Sequence, residues 1–281
     1  NSFGRASVPS GASTGIHEAV ELRDKDKNRF NGNGVKNSIF NILEIFSPKL
    51  KNIYFNSIKD FDNALISIDG TKNKSNLGAN STLSLSLAFA KAMAFKQKEE
   101  LFFYLSEDKN FILPVPMMNI INGGSHADNN VDIQEFMIAP LGAPNFSESI
   151  RYGSEIFHSL KSILKSKGLN TNVGDEGGFA PDINSSKDVI ELIIKAVNLT
   201  GLKMEKDVML SLDVASTEFY EDSLYNLKGE NKKLSSDQMI EYLKNLCSSY
   251  PIYSIEDGMS EDDWEGWKNL TKEIGNKIQL V

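Results

Sequence analysis

Two apolar segments of the chain finish on acids. MLSLDVA (209–215) carries Asp213 near its end, and IYSIED (252–257) closes on Glu256 and Asp257. If both are strands of a parallel α/β sheet or barrel, their C-terminal ends meet at one mouth, where such folds bind ligands. Hard carboxylate oxygens gathered there suit Mg2+, which takes one or two carboxylates and completes its shell with water and substrate oxygens. An acid after one strand can equally be a helix N-cap or a solvated turn residue. The same arrangement on two strands favours a site.

Three loops add polar groups. NVGDEGGFAP (172–181) sets Asp175 and Glu176 between Gly174 and the Gly177–Gly178 pair. Glycine admits positive φ and close backbone approach, so the stretch reads as a solvated turn or as a place where a carboxylate meets a ligand. NGGSHADNNVDIQEF (122–136) brings His126, Gln134 and Glu135 between two strands. A lone histidine is commonly structural, and His17 and His158 are left so; the Gly-rich setting gives His126 an equal claim to binding. VPSGASTG (8–15) could cradle phosphate through backbone N–H groups, or be a surface loop.

These residues need elements to hold them. Helical periodicity covers 35–46, with Ile39, Ile42, Leu43 and Phe46 on one face, then 58–68 and a long helix at 80–105. From Leu113 the pattern changes. Candidate strands at 115–121, 135–141, 209–215, 252–257 and 278–281 alternate with amphipathic helices at 147–167, 186–199, 235–248 and 260–274, the third opening on the cap cluster Ser235-Ser236-Asp237. Nearly continuous apolar strands between helices imply α/β with parallel strands. The first two strands are joined by too little chain for a crossover, so that pair is expected antiparallel. The change of rhythm puts a domain boundary near Pro114–Pro116, giving domains 1–112 and 113–281.

Bulk properties narrow the partners. A net charge of −8 over 281 residues gives no basic footprint for nucleic acid. An acidic chain that handles an anionic substrate needs cations to offset its own field. The single cysteine, Cys247, permits no intramolecular disulfide, fits a reducing compartment and reads as a small buried hydrophobe. No apolar run approaches the ~18 residues of a membrane span.

Taken together, SGASTG (10–15), MMNIINGGSHADNN (117–130), QEFMIAP (134–140), GDEGGFAP (174–181), LDVASTEFY (212–220), SIEDG (254–258) and NKIQLV (276–281) resemble the enolase family, in family order and spacing and along essentially the whole chain. HADNNVDIQEF, and IEDG rather than IEDP, resemble its bacterial branch. The resemblance implies an N-terminal α+β domain and a (β/α) barrel whose first hairpin is antiparallel. It implies reversible dehydration of 2-phosphoglycerate to phosphoenolpyruvate in glycolysis and gluconeogenesis, with two Mg2+ per active site, in a cytoplasmic homodimer. Asp213 and Glu256 match ligands of the first metal, and Ser13, in a mobile loop, matches a ligand of the second. Glu176 matches the general acid and Glu135 its partner near the leaving group. Gln134 and His126 match substrate-contacting positions.

The resemblance also implies groups that this sequence does not supply. A third metal carboxylate, a lysine base, an Arg/Ser pair for the phosphate and a further substrate lysine would follow the QLV strand, and a first N-terminal strand would precede Asn1. Both domains are therefore expected to be partial and the chain to be truncated at both ends, with no full-rate turnover by itself. The alternative is a non-catalytic enolase-like binding protein, which would predict loss of the motif acids. Glu135, Glu176, Asp213 and Glu256 are all present.

Overall fold

The computed structural model describes residues 2–11, 15–174 and 176–281. The chain divides into two compact units, Asn1–Phe111 and Ile112–Val281. In the first, the helix expected at 35–46 forms in three segments: α1 (Lys36–Phe40), a π-helical stretch (Asn41–Phe46) and α2 (Ser47–Leu50). The wider π turn rotates the face out of 3.6-residue phase. Phe46 is buried, but Ile39 and Leu43 are exposed, contrary to the expected shared face. α3 (Ile58–Asp69) forms as expected. The long helix at 80–105 does not: α4 (Ala79–Gln97) ends where Lys98 turns left-handed at φ 60°, and α5 (Leu101–Leu105) starts anew. The polar run KQKEE at 96–100 offers no apolar face that could carry the helix on. Phe46, Phe61, Leu65 and Leu77 make this unit's core, with Phe61 stacked on Phe89 at 4.1 Å. Among its described residues no strand forms; the extended Val20–Leu22 segment is held by bonds to Asn73, Ala79 and Asn80.

The second unit carries the expected alternation. β1 (Met118–Asn122) and β2 (Glu135–Ala139) form the antiparallel pair. α6 (Phe146–Ser166) and α7 (Ser186–Leu199) lead to β3 (Met209–Asp213). The short strands β4 (Tyr220–Glu221), β5 (Leu224–Leu227) and β6 (Lys232–Leu234) follow. Then come α8 (Ser236–Ser249), β7 (Ile252–Glu256), α9 (Trp264–Ile274) and β8 (Gln279–Leu280). The main sheet has the order β1-β2-β3-β7-β8 and, among the described residues, does not close into a barrel. β3 runs parallel to β7 and β7 to β8, but β2 and β3 are antiparallel. The expectation of parallel strands throughout fails at that pair because two helices, not one, join β2 to β3. An even number of crossings returns the chain in the opposite sense. A single core cluster unites the sheet residues Ile120, Ile138, Leu212 and Ile255 with Leu160 of α6 and Ile193 of α7.

Caps fix where the helices begin. Asn145, Ser185 and Ser235 each accept an N–H from the first turn of α6, α7 and α8, and Ser235 with Gln238 forms a full capping box. α9 starts at Trp264 rather than at 260, because Asp263 is its cap and residues 257–263 form a separate turn. That turn is tied down when Tyr225 Oη donates to Asp263 Oδ2 (2.7 Å) and accepts the Ser260 N–H (3.1 Å). Periodicity does not anticipate the β4–β6 sheet, whose strands of two to four residues are too short to show it.

The segment 172–180 folds as an arm against β1. Val173 bridges Phe179 antiparallel, and Phe179 bridges Ile121. Phe179 N–H bonds Ile120 O (3.0 Å) and Asn122 N–H bonds Phe179 O (2.8 Å). Gly178 is needed here for proximity, since a Cβ would lie 2.9 Å from Asn119 Oδ1 and 3.0 Å from the β1 backbone. Gly177, at φ 84°, supplies the left-handed turn. Phe179 is fully buried and stacks on Phe157 of α6 with ring centres 4.2 Å apart. Phe179→Ala is expected to cost about 3–5 kcal/mol, read as a lower urea midpoint; a change under about 1 kcal/mol would show that the arm does not depend on this anchor.

Candidate active site

The register of the main sheet lines up the acids. Asn122 of β1 pairs with Glu135 of β2, Glu135 with Asp213 of β3, and Asp213 with Glu256 of β7. Directly opposed residues project from the same face, so the four side chains make one row. The antiparallel β2 is what brings Glu135 into it, because the start of β2 lies beside the end of β3. All three acids are half-buried.

Neutral groups orient the row. Asp213 Oδ2 accepts Gln134 Nε2–H (3.0 Å) and its Oδ1 accepts the Ala215 N–H (3.1 Å). Gln134 Oε1 in turn accepts Ser125 Oγ–H (2.9 Å). His126 sits on a single helical turn, Gly124–His126, and is only 7% exposed. Its Nδ1 lies 3.0 Å from Glu135 Oε1, a charge contact too oblique for a hydrogen bond, and neither ring nitrogen has a hydrogen-bond partner among the described residues. Glu176, exposed on the arm, completes a trio. His126, Glu135 and Glu176 each offer a potential ligand atom, all within 4.8 Å of one another.

The row is electrostatically unfavourable on its own. Burial raises the pKa of Glu135, and the charges of Asp213 and Glu176 raise it further, against a lowering by His126. Burial likewise raises Asp213, with Glu176 adding to the effect and the Gln134 and Ala215 hydrogen bonds opposing it. Glu256 is raised by burial and then by Asp213 and Asp257; Asp257 by burial and then by Asp213 and Glu261. No lysine or arginine is among the leading charges acting on these groups. Converging half-buried carboxylates that push one another toward protonation fit a divalent cation, whose charge would reverse every one of those shifts.

Backbone geometry holds the strand ends. Val214 N–H bonds Glu256 O (2.9 Å) and Ser216 N–H bonds Asp257 O (3.1 Å), so pairing continues past both acids. Ala215 and Asp257 are left-handed at φ 47° and 48°. Both chains thus leave the sheet by a turn that L-residues adopt only at a cost of about 1–2 kcal/mol.

Of the residues singled out from sequence, Glu135, Asp213, Glu256, His126, Gln134 and Glu176 therefore gather at one end of the sheet. Ser13 and Asp175 lie outside the described residues. In the 8–15 loop, Ser10 Oγ donates to Glu21 Oε1 (3.0 Å) and accepts from Arg23 Nη2, contacts within the first unit. Sequence reasoning missed the asparagines. Asn122 Nδ2 bonds Gly178 O (3.1 Å), and Asn129 Nδ2 bonds both Asn122 O and Pro181 O at 3.0 Å. Together they fasten the Glu176 arm to the His126 loop. The Asn129-Asn130 doublet was the available signal, as side chains that can satisfy loop backbone groups.

Two family matches cover nearly all of the chain. Residues 1–105 match the enolase N-terminal domain and residues 110–281 match the enolase C-terminal TIM barrel domain. The open five-stranded sheet with its antiparallel first pair is then an incomplete enolase-type barrel, and Mg2+ is the cation that the family implies for the acids. By these matches and this architecture, the chain belongs to the enolase family.

Proposed function

We propose that this protein catalyses the reversible dehydration of 2-phosphoglycerate to phosphoenolpyruvate. The observation that carries the reading is the in-register row Glu135–Asp213–Glu256, with His126 and Glu176 beside it. A proton next to a carboxylate is very weakly acidic, because its loss adds charge to an already anionic substrate. Asp213 and Glu256 would hold the first Mg2+, and Ser13 the second; bound there, the ions supply Lewis acidity that stabilises the added charge. Glu176 would donate a proton to the departing hydroxide, and its exposed place on the arm suits a group that must meet an incoming ligand. Glu135 lies within reach of the same leaving oxygen, as its 4.8 Å grouping with Glu176 suggests. The buried His126 ring, with both nitrogens unpartnered, has hydrogen-bonding capacity for substrate oxygens. Gln134, held between Ser125 and Asp213, orients the row.

A place in glycolysis and gluconeogenesis, a cytoplasmic location and a homodimer belong to the same proposal. So does weak or absent turnover by the 281-residue chain alone, since its acids have no cationic side chain among their leading partners to act as base or phosphate holder.

In the full-length protein, Glu176→Gln should lower kcat about 10²–10⁴-fold in a coupled phosphoenolpyruvate assay and leave Mg2+ binding intact; normal turnover would remove Glu176 from the acid role. A second expectation concerns pH. Glu135, Asp213, Glu256 and Asp257 have pKa values raised by folding, so the metal-free fold binds protons that the unfolded chain releases. The stability these groups lend is present below the unfolded-state values near 4 and is lost as pH rises through the raised ones. Mg2+ should offset that loss, so the melting-temperature gap between Mg2+-loaded and chelator-treated protein should widen with pH and shrink in Asp213→Asn. A gap independent of pH would contradict cation binding at this row. For the chain alone, phosphoenolpyruvate formation at full-length rates would refute the inactivity proposed above.

A further inference from the structure

The turn of the β5–β6 hairpin is pinned to the loop that carries His126 and Gln134. Asp132 Oδ1 accepts the Gly229 N–H at 2.8 Å, and its Oδ2 accepts the Glu230 N–H at 3.1 Å, contacts that join residues 97 and 98 positions apart. The approach is so close that a Cβ on Gly229 would fall on the Asn130 carbonyl oxygen. The turn itself is immobilised from behind. The Glu230 carboxylate, 7% exposed, accepts the Ser186 N–H at the start of α7 (2.9 Å), Tyr242 Oη–H of α8 (2.8 Å) and Lys232 Nζ–H (2.6 Å). Burial would push its pKa up, but these bonds outweigh burial and keep it below the usual carboxylate value.

Within the loop, Asp132 lies between the buried Val131 and Ile133. Gly124 N–H bonds Val131 O and Gly123 N–H bonds Gln134 O, each at 2.8 Å, so the two halves of the loop move as one piece. A fixed point at Asp132 is therefore a fixed point for the turn that holds His126.

We propose that Asp132 is a positioning residue. It transmits the fixed place of the hairpin turn, set by Glu230 on α7 and α8, to loop 123–134, and so sets the His126 ring against Glu135. The significance of that placement for turnover rests on the function proposed above; the placement itself does not.

The test reads the ring directly. Histidine ring 1H–13C spectra of the 281-residue chain contain three residues, His17, His126 and His158, two of which serve as internal controls. Asp132→Ala and Gly229→Ala break the same contact from opposite sides, and both should shift or broaden the His126 signal while leaving the other two in place. Asp132→Asn keeps an acceptor for Gly229 but sets a donor against the Glu230 N–H, and should fall between wild type and Asp132→Ala. Should Asp132→Ala fail to fold, the Asn and Gly229→Ala variants decide by the same criterion. A His126 signal unchanged in folded variants, or one that moves only together with His17 and His158, overturns the proposal. In the full-length protein Asp132→Ala should lower kcat on the order of 10-fold by misplacing the loop. Retained turnover in Glu176→Gln would refute the catalytic reading and leave the ring spectra untouched, so the two failures are distinguishable.

Discussion

The mutual repulsion of half-buried carboxylates is the interaction around which the second unit is arranged. Glu135, Asp213 and Glu256 occupy one row of a sheet whose pairing leaves them nowhere else to go. A cluster of like charges would ordinarily be relieved by strand ends fraying or side chains turning to solvent. Here the core beneath the sheet fixes the strands, and a one-residue slip in register would send the whole apolar set of a strand to the wrong face. The fold thus maintains an unfavourable charge arrangement that a cation makes favourable.

Much of this was legible in the chain. Asp213 and Glu256 stand where apolar strand patterns end, and that position alone implies convergence. The short β1–β2 connection announced an antiparallel pair. The antiparallel relation of β2 to β3 was also available, from the two helices between them, and it explains why Glu135, at a strand's start, joins acids at strands' ends.

Other features were invisible for identifiable reasons. Periodicity assumes a constant 3.6-residue turn, so it could not foresee the π stretch at Asn41–Phe46 or the left-handed Lys98 that splits the long helix. Strands of two to four residues carry too few alternations to stand out, which hid the β4–β6 sheet. The asparagine fastenings and the Asp132–Gly229 contact join segments far apart in the chain, and nothing local to either segment encodes its partner. The glycines show the same limit. Their presence in GDEGG signalled something special, but only the structure separates Gly177, which supplies a backbone conformation, from Gly178, which supplies room.

The hydrogen bonds from Val214 to Glu256 and from Ser216 to Asp257 carry pairing beyond the acids before the left-handed turns at Ala215 and Asp257 divert the chain. Asp213 and Glu256 are therefore interior members of the ladder rather than its loose ends. Their backbone has surrendered its freedom at folding, not at the moment a ligand arrives. Binding at this row then carries little ordering entropy, so its free energy can be spent almost wholly on charge and geometry.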